Sequence, residues 1–169
     1  MPAVISIVGR KGSGKAEVLE ALIVLLTSRG FRIGVLKQLA RQDLEIDEPG
    51  KDTFRYRMSG AEKVILAGKK RLAVFANLTE EIPFEELLLL FRDFDLVFLE
   101  GYLQDKLLKI EVHKKELGEF LLTERVKSVV AICSDGEGRH GVPSFDFDEL
   151  HKLADLIENQ FLKKEVGVS

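Results

Sequence analysis

The chain has 169 residues, 46% hydrophobic and 31% charged, which is sufficient for one core-bearing domain over residues 1–169. A formal net charge of -3 shows no basic excess, so a general affinity for nucleic acid or anionic membrane is not indicated. Cys133 is the only cysteine, which excludes an internal disulfide and a multi-cysteine zinc site. No charged leader precedes an apolar segment, and Leu87 to Phe91 is too short to span a bilayer. A cytoplasmic location is expected.

The first element is a β-branched apolar run, Val4 to Val8, followed by Gly9-Arg10-Lys11-Gly12-Ser13-Gly14-Lys15-Ala16. Strand, small-residue turn and apolar helix in this order form the setting of a Walker A phosphate loop. Backbone N–H groups and a helix N-terminus hold phosphates there, and a lysine reaches the outer ones. Gly9, Gly12, Ser13, Gly14, Lys15 and Ala16 are therefore the candidate nucleotide loop. One position departs from the motif: Ala16 stands where a Ser or Thr hydroxyl would bind Mg²⁺.

Val18, Leu19, Leu22, Ile23, Leu25 and Leu26 then recur at helical spacing, and Gly30 sits at a helix C-terminal position. Phe31 to Leu36 reads as a second strand, after a crossover long enough for parallel pairing. Residues 37–50 are polar and end in Pro49-Gly50, marking a long loop. Lys51 to Ser59 has the composition of a short, solvated basic helix that Gly60 stops. Lys63 to Ala67 and Arg71 to Ala76, separated by Gly68-Lys69-Lys70, read as a hairpin or as neighbouring strands. The expected fold is α/β and P-loop NTPase-like, with helices on both faces of a mostly parallel sheet that is mixed if this pair joins it.

Pro83 suits the first turn of a helix carrying Leu87 to Phe91, and a strand follows at Leu96 to Leu99, ending in Glu100-Gly101. In phosphate-loop proteins a carboxylate at such a strand end faces the phosphates and serves Mg²⁺, so Glu100 is the candidate metal residue. Leu107 to Val112 reads as a strand and Lys114 to Glu124 as a helix with Leu117, Phe120 and Leu121 on one face. Lys127 to Cys133 is a further buried strand, running into Ser134-Asp135-Gly136. Ligands bind at the carboxyl ends of strands in open α/β sheets, which makes Ser134 and Asp135 candidates for contact with a nucleotide base. Asp146 and Glu149 form an acidic capping box, Phe145 and Leu150 a hydrophobic staple, and Leu150, Leu153, Ile157 and Phe161 the buried stripe of a last helix.

Four blocks, in order along the chain, resemble the MobB family of molybdopterin-guanine dinucleotide biosynthesis proteins. They are Gly9 to Lys15, Pro49 to Ala61, Asp95 to Tyr102 and Lys109 to Val112, and the likeness extends to about Asp135. The resemblance implies a dimeric GTP-binding protein that assists the guanylyltransferase attaching GMP to molybdopterin. It implies GTP and Mg²⁺ as cofactors and an accessory role rather than the transferase chemistry itself; at most a slow GTPase is expected. It places Asp52, Arg55 and Arg57 in the family's second signature and Ser134-Asp135 in its base-side loop. Two departures stand out: Ala16 in place of the family's Thr, and Lys37-Gln38-Leu39-Ala40-Arg41-Gln42 where members carry histidines. Losing the hydroxyl should harm hydrolysis more than binding. The alternative is a scaffold or carrier that binds the guanylyltransferase or the pterin without using nucleotide.

Overall fold

The computed structural model describes residues 1–39, 47–118, 128–136, 138 and 141–162. The chain divides into two compact units, Met1–Gln38 with Phe91–Ser169, and Leu39–Leu90.

In the first unit, strands β1 (Ala3–Val8), β2 (Ile33–Lys37), β5 (Leu96–Glu100), β6 (Leu108–His113), β7 (Val129–Ser134) and β8 (Ser144–Phe145) form one sheet, in the order β2-β5-β1-β6-β7-β8. All of its pairings are parallel. Helix α1 (Lys15–Ser28) is the crossover between β1 and β2. It ends as its sequence indicates, with Gly30 left-handed and the Gly30 and Phe31 N–H groups returning to the carbonyls of Thr27 and Leu26. Helix α4 (Leu150–Ile157) packs beside α1.

Strand alternation divides the sheet residues between two faces. Ile5, Ile7, Leu96, Phe98, Ile110, Val112, Ala131 and Cys133 meet Val18, Leu22 and Leu26 of α1 and Leu153 and Ile157 of α4 in one core. Cys133 is the core thiol expected, and burial pushes its pKa up to about 12. The opposite face carries Ser6, Lys109, Glu111, His113 and Ser134, all buried.

The second unit contains α2 (Asp52–Met58), the antiparallel pair β3 (Lys63–Ala67) and β4 (Leu72–Ala76), and α3 (Phe84–Leu89). The hairpin forms a sheet of its own, so the six-stranded sheet is parallel rather than mixed among the described residues. Arg57 lies over the Phe75 ring at 5.8 Å and pairs with Asp47 at 3.4 Å. The opposite face of the hairpin leaves Ile65, Leu72 and Val74 exposed.

Several local expectations shift. Helix α3 stops at Leu89, before Phe91. The segment after β6 forms a 3₁₀ turn at Lys115–Leu117; Phe120 and Leu121 lie outside the described residues, as do residues 40–46 of the long loop. Helix α4 begins one turn later than its capping box suggests. Glu149 does accept from the Asp146 N–H at 3.2 Å, but Asp146 Oδ1 bonds the Phe147 N–H beside it at 2.6 Å, closing a local turn instead of a helix.

Candidate phosphate-binding site

Strand β1 delivers the chain to the carboxyl edge of the sheet, and the loop turns there into α1. Gly9 passes β6 so closely that a Cβ would stand 2.2 Å from the Val112 carbonyl oxygen; its φ of 153° is also one that side chains disfavour. Gly14, left-handed at φ 91°, caps α1 without any side-chain hydrogen bond to the first-turn N–H groups. Those N–H groups have no intrahelical acceptor, and they give the helix end its partial positive charge. Ser13 Oγ is buried with no hydrogen-bond partner among the described residues. A buried orphan hydroxyl beside open backbone donors fits an anion, because a phosphate oxygen would satisfy both.

The Lys15 ammonium donates to the carbonyls of Gly9 at 2.9 Å and Arg10 at 2.7 Å. Its pKa lies below the usual lysine value, mainly through burial, with the Glu100 carboxylate opposing that shift and Lys37 adding to it. Glu100 ends β5, in register with Ile7 on one side and Lys37 on the other. The Lys37 ammonium lies 3.0 Å from Glu100 Oε2. Ala16, on the first turn of α1, supplies no oxygen. The residues present therefore fit phosphate well and Mg²⁺ poorly: the expected hydroxyl is missing and the candidate carboxylate already holds a cation.

A cavity of about 240 Å³ opens beside the loop, lined by Val8, Gly9, Arg10 and Lys15 on one side and Gly101 and Leu103 on the other. The segment after Glu100 is anchored from beneath the sheet. Ser6 Oγ donates to the Tyr102 carbonyl at 2.6 Å, and the buried Lys109 ammonium donates to the carbonyls of Gln104 and Leu107, each at 2.7 Å. Burial lowers the Lys109 pKa. The blocks Asp95 to Tyr102 and Lys109 to Val112 thus have a visible structural task.

Ser134 belongs to β7 rather than to the turn. It is buried, opposite His113, and its Oγ accepts from the Gly136 N–H at 3.1 Å. Asp135 is exposed, and its Oδ1 accepts from the Lys115 N–H at 2.7 Å. Asp52 and Arg55 lie in the second unit, both exposed, and pair with each other at 3.3 Å. Gly9 to Ala16 and Glu100 are thus brought together. Lys37, Gly101 and Leu103 were not among the residues expected at the site. A lysine at the end of β2 becomes legible only once the strand order places β2 beside β5.

The family model of molybdopterin guanine dinucleotide synthesis protein B, MobB, matches residues 4–135. The chain belongs to the MobB family. Among curated MobB relatives, the molybdopterin-guanine dinucleotide biosynthesis adapter protein of Escherichia coli (strain K12) is 31% identical over 166 residues, covering 92% of this chain and 91% of that protein. The adapter protein of Haemophilus influenzae is 31% identical over 157 residues, covering 92% and 87%. The crystal structure of a molybdopterin-guanine biosynthesis protein B has a TM-score of 0.73 at 28% identity, covering 92% of this chain and 98% of its own. Bacillus subtilis MobB has a TM-score of 0.74 at 25% identity, covering 96% and 99%. The α/β, P-loop NTPase-like fold expected from the sequence is the fold of the MobB family.

Proposed function

We propose that the chain is a cytoplasmic, GTP-binding adapter in molybdopterin guanine dinucleotide biosynthesis, serving the guanylyltransferase that joins GMP to the pterin, and at most a slow GTPase. Family membership supports the pathway. The buried Ser13 hydroxyl, without a partner among the described residues and beside the open N-terminus of α1, is the observation that carries nucleotide binding. In this reading Gly9, Gly12, Ser13, Gly14, Lys15 and Ala16 surround the phosphates, and Asp135, on the base-side loop braced by Ser134, meets the base. Mg²⁺ accompanying the nucleotide would take Glu100 as its carboxylate, weakly, since Ala16 offers no second ligand. Slow turnover follows, because positioning and charge neutralisation carry phosphoryl-transfer catalysis. The exposed face of Ile65, Leu72 and Val74 suits burial against a second copy of the chain, which supports the homodimer.

Titration calorimetry with GTP, GDP and ATP tests this reading. Saturable heat with GTP is expected, and a chain acting only as a nucleotide-free scaffold would give none with any of the three.

A further inference from the structure

We propose that the Lys37 ammonium, seated on Glu100, is the resident counter-cation of the phosphate site and spares it a need for Mg²⁺; the inference rests on the nucleotide reading above. Lys37 and Glu100 end adjacent parallel strands in register, and Nζ lies 3.0 Å from Oε2. On its other side Glu100 is in register with Ile7, two residues before Gly9. The pair therefore stands at the carboxyl edge of the sheet, beside the strand that feeds the loop. Both charges are felt by Lys15, the carboxylate favouring its charged form and the Lys37 ammonium opposing it.

A nucleoside triphosphate carries more negative charge than one lysine and a helix end can offset. Phosphate-loop proteins ordinarily add a divalent ion held by a hydroxyl and an acid. Here the hydroxyl position is Ala16 and the acid is occupied by a cation tethered to the same chain. A divalent ion would have to displace that ammonium from Oε2, and it would gain no second protein ligand from the loop. Lys15 is already counted in that balance as the loop's own lysine, so it cannot also stand in for the metal. Lys37 keeps 54% of its side-chain surface exposed, so its flexible stem can carry charge toward a polyphosphate while Glu100 holds it near the loop. An ammonium supplied this way attracts phosphate but lacks the Lewis acidity by which a divalent ion would polarise it. Binding without efficient hydrolysis is the consequence.

GTP affinity measured by calorimetry in Mg²⁺ buffer and in EDTA, for the wild type, Lys37→Ala and Lys37→Arg, tests the inference. The expected wild-type affinity agrees within about threefold between buffers, as does that of Lys37→Arg. Lys37→Ala is expected to lose about tenfold or more in EDTA and to recover in Mg²⁺, where the freed Glu100 accepts the metal. A wild-type loss of about tenfold in EDTA would overturn the inference, as would a Lys37→Ala affinity that drops equally in both buffers or in neither. Wild-type protein that gives no GTP heat in either buffer would overturn the nucleotide reading itself, and this inference with it.

Discussion

In the first unit Phe98, Leu22 and Ile110 have no exposed surface, whereas in the second unit Ile65, Leu72 and Val74 keep more than half of theirs. The same residue types thus serve two ends. Two helices and a parallel sheet enclose apolar side chains from both layers, but a two-stranded hairpin has two faces and, among the described residues of Leu39–Leu90, no hydrophobic residue is buried. The first unit can hold a loop rigidly against a sheet edge. The second presents apolar surface whose burial awaits something else.

The largest expected contrast is in stability. Phe98→Ala should cost about 3–5 kcal/mol in denaturant unfolding, since it empties a fully buried site. Gly9→Ala should follow, because its Cβ meets the backbone oxygen of Val112 at 2.2 Å and one of the two segments must move. A loss of about 1–3 kcal/mol, together with weakened GTP binding, is expected, measured by unfolding and calorimetry.

The pH response of Cys133 comes next. Its pKa is raised from 9.0 in the unfolded chain to about 12 in the fold, so the unfolded state releases its proton first as pH rises. The stability from keeping this thiol neutral is complete below pH 9 and is lost between 9 and 12, at up to about 1.4 kcal/mol per pH unit. Cys133→Ala should flatten that part of the profile, read from unfolding curves over this range. The smallest effect on the isolated chain is expected in the hairpin. Ile65→Ser should change monomer stability by no more than about 0.5 kcal/mol while weakening self-association in sedimentation equilibrium. A large monomer destabilisation would erase the contrast between the units.

These two regions also differ in how far their sequences reveal them. Strands β1, β5, β6 and β7 and helix α1 are legible because apolar period and turn residues agree with burial on both sides of the sheet. The loop is equally legible, since its glycines answer to local geometry. The two-residue strand β8 is not, because two residues carry no period. Whether the hairpin joins the main sheet could not be read from alternation, which reports a pleated surface and says nothing of its neighbour. The Lys37–Glu100 pair escaped for a related reason: its members are far apart in sequence, and only the strand order β2-β5-β1 makes them adjacent. Ser134, which the sequence sets just past the strand Lys127 to Cys133, is the last residue of β7. Here it remains paired with His113 in the ladder.

The central claim, that the loop from Gly9 to Ala16 holds nucleotide phosphate, rests most directly on Lys15. GTP affinity of the wild type and of Lys15→Ala, compared by calorimetry on samples with matched unfolding curves, tests it. A loss of roughly a hundredfold or more, equivalent to about 2.7 kcal/mol, is predicted for the variant, since it removes a charge-assisted contact to phosphate. Equal affinity in the two proteins would contradict the account.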